Sequence, residues 1–197
     1  MRRRQKKQQG EKPARFPGEP KLDSVDWAQK ILYGDEGSRL KAIFEAKGRR
    51  DAEALPVLIR QMVSSDEPGL EAREAIPVII EANPGNEDVI SMGPVLAGYF
   101  DTSMAGYWAV WVCARILETN PKKLKELAPK LMEVGEQAVK ESDGYLLEEI
   151  AICLGQMGAV EAVPMLRRGL ETMSLDEEVR DALERIARDL GRQAYMH

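Results

Sequence analysis

Few side chains in this sequence have the type and spacing that catalysis or metal binding requires. His197 is the only histidine, so a zinc site built on histidine ligands and a Ser-His-Asp arrangement are both excluded. Cys113 and Cys153 lack the spacing of metal ligands, and we expect both to be small buried side chains in a reducing compartment. We therefore expect no catalytic residue, no metal and no cofactor.

Two further patterns resemble chemical motifs but have structural explanations. Gly155 and Gly158 follow no strand and have no accompanying lysine, so they indicate a turn between helices and not a phosphate-binding loop. Asp176, Glu177 and Glu178 precede an apolar periodic stretch, where carboxylates favour the start of a helix. The sequence thus predicts a protein that is not an enzyme.

A Pro-x-Leu step recurs along the chain and marks a structural repeat. Its copies lie 38, 35 and 35 residues apart, a period typical of stacked helix pairs. A helix-ending signal precedes each later copy, either Asn-Pro or Leu-Gly. The Pro-x-Leu steps are Pro56-Val57-Leu58, Pro94-Val95-Leu96, Pro129-Lys130-Leu131 and Pro164-Met165-Leu166, and the helix-ending pairs are Asn83-Pro84, Asn120-Pro121, Leu154-Gly155 and Leu190-Gly191.

Residues 154–166 read Leu-Gly-x-x-Gly-x-x-x-Ala-Val-Pro-x-Leu, and Glu-Val-Arg-Asp-Ala-Leu follows at 178–183. This pattern resembles the HEAT-like repeat of the short bacterial and archaeal type, which is also found in phycobilisome lyases. The resemblance covers roughly residues 38–192 and is looser in the two middle units, where Asn-Pro replaces the glycines. It implies an all-α fold, a right-handed α-α solenoid of about four to five helix pairs.

The repeat pattern predicts the organisation of the chain. Residues 1–21 form a basic tail and residues 22–197 form the solenoid. Within it we expect a capping helix at 22–33, repeats at 38–65, 70–101, 105–140 and 145–173, and a final capping helix at 176–191. We expect a single second helix at 86–100 in the second repeat, and a kink at Pro77 unless it lies in the first turns of its helix.

Charge is divided unevenly between the tail and the rest of the chain. Residues 1–21, hereafter the basic arm, carry eight Lys or Arg and two Glu, a net charge of +6, whereas the remainder carries −11. Low apolar content and three prolines predict that the arm is disordered when free. It is a solubilising tail, a docking arm for a polyanion such as nucleic acid, or a segment that folds back on the acidic body. The residues for polyanion binding are Arg2, Arg3, Arg4, Lys6 and Lys7.

Five of the eleven aromatic residues fall between positions 99 and 111. They indicate a central core between repeats, with an aromatic groove for a peptide or a base as the alternative. The residues are Tyr99, Phe100, Tyr107, Trp108 and Trp111.

The most direct functional hypothesis is a scaffold that binds a partner protein on the concave face lined by the second helices. We expect the binding positions to be Val57, Arg60, Gln61, Val95, Tyr99, Lys130, Glu133 and Arg168. The alternative is a nucleic-acid or ribonucleoprotein accessory factor that docks through the basic arm. The resemblance also implies a third class, a bilin lyase-like or DNA glycosylase-like enzyme. No apolar run reaches the length of a membrane span, so we expect a cytoplasmic protein without membrane contact.

Overall fold

The computed structural model describes residues 26–173 and 177–194, with the side chains of 28–173 and 177–189. All secondary structure in these residues is helical, which confirms the all-α prediction. The basic arm, residues 22–25 of the first predicted helix and residue 176 lie outside the described residues. The α-helices are α1 (Asp26–Tyr33), α2 (Glu36–Arg49), α3 (Leu55–Gln61), α4 (Glu67–Ala82), α5 (Glu87–Ile90), α6 (Met92–Ala97), α7 (Met104–Thr119), α8 (Ala128–Glu141), α9 (Gly144–Met157), α10 (Val163–Thr172) and α11 (Glu177–Ala194).

Three of the four Pro-x-Leu steps begin an α-helix immediately after a 3₁₀ turn. Pro56, Pro129 and Pro164 are each the second residue of their helices, α3, α8 and α10. Proline lacks a backbone N–H, but the first turn of a helix makes no internal hydrogen bond through that group. The fixed φ of proline also suits the first turn. The 3₁₀ turns before them are Ala52–Ala54, Lys125–Leu127 and Val160–Ala162.

The second repeat departs from this arrangement. The single helix expected at 86–100 is wrong, because the chain forms two short helices, α5 and α6, that meet at Ser91. Pro94 explains the break, since a proline ring clashes with the carbonyl four residues earlier, which here belongs to Ile90. Helix α6 then ends at Ala97 and is less than half as long as α8. By contrast, α4 continues through Pro77.

The helices pack in two rows. The first row contains α2, α4, α7, α9 and α11, each packed against the next. In the second row α1 packs against α3, α3 against α6, and α8 against α10. Each second-row helix also lies against the first-row helix that follows it in the chain. The apolar faces of both rows are therefore buried between them, as at Ile79 of α4 and Ile150 of α9, which have no exposed surface.

Asn83 and Asn120 connect neighbouring repeats in addition to ending α4 and α7. The Asn83 side-chain amide donates a hydrogen bond to the carbonyl of Arg50 in the preceding turn (2.9 Å). The Asn120 side-chain oxygen accepts one from the backbone N–H of Gly85 (2.8 Å). Each Asn-Pro pair thus links its turn to the turn before it.

The next junction uses backbone atoms and an ion pair. Lys122 donates its backbone N–H to the carbonyl of Gln156 (3.1 Å). Its Nζ lies 3.2 Å from the carboxylate of Asp189 on α11. The Leu-Gly pair at 154–155 lies inside α9 and does not end it; the glycine that is required is Gly158, three residues later, which ends α9 in the left-handed region with φ +69°.

Asp66 joins the first two repeats at the start of α4. Its carboxylate accepts hydrogen bonds from Gly69 N (3.0 Å) and Gln61 Nε2 (3.3 Å) and pairs with Arg39 (2.8 Å). Partial burial acts to raise the pKa of Asp66, but hydrogen bonds from Ser64, Gly69 and Arg39 together hold that pKa below its usual value. This cap starts α4 at Glu67, three residues before the predicted start of the repeat.

Candidate functional site

A groove lies between α8 and the loop that connects α6 to α7. Its volume is about 510 Å³. Phe100 and Val134, each 4% exposed, contribute its buried apolar surface, and polar side chains contribute the rest. The lining residues are Phe100, Asp101 and Thr102 from the loop, and Lys130, Glu133, Val134, Glu136, Gln137 and Lys140 from α8.

The groove exists because α6 is short. The chain leaves the second row after Ala97, so α8 has no second-row helix of equal length before it in the chain. The start of α6 is held close to the residues that precede α8, since a Cβ at Gly93 would lie 2.5 Å from Cδ2 of Leu124. The loop that forms the other side of the groove lies directly against α7. The approach is so close that a Cβ at Gly106 would overlap the carbonyl oxygen of Asp101.

Charged side chains of both signs surround the apolar surface. Within α8, Lys130 Nζ lies 2.9 Å from the carboxylate of Glu133, one helical turn away. Glu136 forms an ion pair with Arg168 of α10, which connects α8 to the next repeat. Gln137 presents a side-chain amide between these pairs and donates to Glu141. The groove can therefore contact apolar, cationic and anionic groups of a bound segment.

The structure places two of the predicted binding residues, Lys130 and Glu133, directly in this groove. Arg168 lies outside the lining and is paired with a lining residue, Glu136. Tyr99 is partly buried against the core and precedes Phe100 of the lining.

The outward orientation expected for Val57, Gln61 and Val95 is wrong. Val57 has no exposed surface, and Gln61 and Val95 are 7% and 8% exposed. The prediction assumed that each second helix has one open face, but α3 packs against α1, α4 and α6. Of the three residues predicted on α3, only Arg60 is partly exposed. Gln61 instead has a structural role through its hydrogen bond to Asp66.

Sequence reasoning named Phe100 only in the aromatic-groove alternative, and it missed Asp101 and Thr102 of the loop and the later residues of α8. A signal for the latter was present, because Lys130, Glu133, Val134 and Gln137 follow the spacing of one helical face. The contribution of Phe100 had no such signal, since it depends on where α6 ends.

Cys113 and Cys153 are fully buried on α7 and α9, as predicted. Burial, followed by the neighbouring Cys113 thiol, raises the pKa of Cys153 well above its usual value. Cys153 Sγ donates to the carbonyl of Val110 (3.6 Å). A buried thiol that stays protonated is a poor nucleophile.

Comparison of the chain with protein-family models, with curated proteins and with solved structures finds no match. Within residues 26–173 and 177–194, no group of three or more His, Cys, Asp or Glu side chains could hold a metal ion. No helix of that part of the chain is long and apolar enough to cross a membrane. The residues predicted for polyanion binding, Arg2, Arg3, Arg4, Lys6 and Lys7, lie outside the described residues.

Proposed function

We propose that this protein is a non-enzymatic interaction scaffold that holds a segment of a partner protein in the groove beside α8. The observation that carries the proposal is the groove itself, with apolar surface at Phe100 and Val134 and charges of both signs at its edges. Mixed charge around an apolar centre suits a polypeptide, whereas a phosphate backbone requires a basic surface. We place this activity in the cytoplasm.

We further propose that the two rows of helices form a right-handed α-solenoid of four to five HEAT-like pairs. Two findings support this architecture. Helices of the first row contact their neighbours in chain order, and so do those of the second row except at α6, which contacts the 3₁₀ turn before α8. Turns of consecutive repeats are linked by hydrogen bonds, from Asn83 to Arg50, from Gly85 to Asn120 and from Lys122 to Gln156. Nearest-neighbour packing of this kind is the defining property of repeat proteins.

A charge exchange within α8 tests the groove. Replacing Lys130→Glu together with Glu133→Lys retains an ion pair one turn apart and inverts the charge pattern that a ligand meets. The matched control is Glu45→Arg with Arg49→Glu, which exchanges an exposed pair on α2 (2.6 Å) in the same way. Affinity capture at high salt should retain the same partner protein with wild type and control and lose it with the α8 variant. Equal capture by all three proteins would exclude the groove.

The basic arm supports the alternative, a nucleic-acid accessory factor, because it concentrates a charge of +6 in 21 residues. The full-length chain with Arg2, Arg3, Arg4, Lys6 and Lys7 all replaced by Gln separates the two functions. The function would belong to the arm if two results are found together: this variant no longer captures nucleic acid at low salt, and the α8 variant loses no partner protein.

A further inference from the structure

A second surface, separate from the groove, lies along α7 and α9 in the first row. Met104 and Tyr145, at the first turns of these helices, are 68% and 79% exposed. Tyr107, Trp108 and Trp111 continue the face along α7 and are partly buried. Their rings are in contact edge to face, with centroids 5.2 and 5.6 Å apart. We call these residues, with the carboxylates described next, the α7–α9 face.

This face is acidic. Helix α9 with its N-cap Asp143 contains no Lys or Arg, and Arg115 is the only cationic residue of α7. Arg115 lies 3.0 Å from Glu118 and 3.9 Å from Glu149. Burial raises the pKa of Glu149 against the opposing effect of Arg115, and negative charges on Glu118, Glu148 and Glu178 of α11 raise it further. Arg115 therefore does not neutralise the carboxylates that surround it, and the other arginine at this face, Arg73 of α4, donates to the backbone carbonyls of Met62 and Ser64.

Two polar atoms on this face lack hydrogen-bond partners among the described residues. Glu149 Oε2 and Trp108 Nε1 are buried, and neither makes a hydrogen bond within the described part of the chain. Glu149 Oε2 is an acceptor that a basic side chain could satisfy, whereas Trp108 Nε1 is a donor that requires an acceptor such as a backbone carbonyl of the same segment.

Two arginine side chains of the chain itself already lie on these rings. The guanidinium of Arg73, from α4, lies 4.4 Å from the centroid of Trp108, and that of Arg115 lies 5.8 Å from Trp111. A guanidinium stacked on an aromatic ring and close to a carboxylate combines cation-π attraction with ion pairing. The face is therefore suited to further Arg and Lys side chains.

We propose that the α7–α9 face binds the chain's own basic arm, residues 1–21, whose Arg and Lys side chains lie on its aromatic rings and pair with its carboxylates. Charge complementarity supports this occupant, because the arm carries +6 and the rest of the chain −11. Length supports it as well. The 25 residues before α1 can extend about 80 Å, and the path from α1 through α2, α4 and α7 to α9 has four interaxial steps, about 40 Å at the usual interaxial distance. The proposal does not depend on the groove.

Carbodiimide crosslinking of the full-length protein tests the contact directly. At low salt and low protein concentration, we expect crosslinks from Lys6, Lys7 or Lys12 to Glu118 and Glu178, and their loss at high salt. A mixture of isotopically light and heavy protein identifies links within one chain. Links joining light to heavy chains would assign the face to a second copy, and links spread over all exposed carboxylates would show no docking. Either result would overturn the proposal.

Limited trypsin digestion gives a second readout that does not depend on the crosslinked residues. Full-length Glu118→Gln/Glu178→Gln should be cleaved in the arm about three- to tenfold faster than wild type at low salt, as expected for removal of two surface ion pairs. The control Glu53→Gln/Glu87→Gln removes the same charge from exposed residues near α3 and α5 and should be cleaved at the wild-type rate. Equal rates for all three proteins would refute docking on this face.

Discussion

Asn120→Ala should lower the stability of the protein by breaking the connection between two repeats. The side chain is 6% exposed, and its oxygen accepts the backbone N–H of Gly85 at 2.8 Å. Its amide donates to the carbonyl of Ile116 at 3.1 Å and to Thr119 Oγ1 at 2.9 Å. Alanine removes all three hydrogen bonds and leaves the Gly85 N–H without its acceptor.

The magnitude follows from these contacts. Gly85 is exposed, so water can solvate its N–H, and the loss of that bond costs about 1 kcal/mol. Loss of the two amide bonds at the end of α7 costs about 1 kcal/mol more, because the Ile116 carbonyl keeps its bond from Asn120 N. A total of about 2 kcal/mol corresponds to a fall in Tm of about 4–8 °C for a chain of this size.

Urea denaturation and calorimetry measure the effect, with Asn83→Ala as the matched variant. Asn83 is only half-buried and its amide alone makes hydrogen bonds, to the carbonyls of Arg50 and Ile79. Its loss should cost about 1 kcal/mol. The reasoning fails if Asn120→Ala changes the free energy of unfolding by less than about 0.5 kcal/mol, or if Asn83→Ala is the more damaging of the two.

Two further predictions concern α7, α9 and the groove. Because burial raises the pKa of Glu149, the folded state binds its proton more tightly than the unfolded state does, and wild type loses stability as pH rises from the ordinary glutamate pKa through the raised one. Glu149→Gln should therefore be the more stable protein at neutral pH, and urea titrations should show the difference shrinking as pH falls; a constant difference would contradict this. Gly106→Ala should destabilise by about 1–3 kcal/mol, since its Cβ would meet the rigid backbone carbonyl of Asp101 and displace the groove loop. Gly48→Ala, where nothing lies within 4 Å, should instead stabilise α2 by about 0.5–1 kcal/mol; the same sign for both glycines in thermal melts would refute this explanation.

Helix starts were predictable where a single residue controls the backbone. Pro56, Pro129 and Pro164 each begin a helix because proline restricts its own φ and the residues around it, whatever lies beyond. The same property of Pro94 splits the second repeat, and its consequence was missed because the expected helix took no account of the carbonyl at Ile90. The resulting short α6 creates the groove.

Exposure of the second helices was only partly predictable. Lys130 lines the groove, whereas Val57 and Val95 occupy the same repeat position, one residue after the proline, and are buried. The repeat register is identical at these sites. The neighbours differ, because α3 packs against α1, α4 and α6, whereas α8 packs against α9 and α10.

The sequence by itself determined that the chain is helical, where most helices begin and end, and that its charge is divided between a basic arm and an acidic body. These properties follow from residue type and from spacing within a few turns of chain. The tertiary structure decided which residues meet across repeats, such as Phe100 with Gln137 in the groove and Arg73 with Trp108 on the α7–α9 face. Such pairs are tens of residues apart, and their contact depends on helix length and packing, which no local pattern encodes.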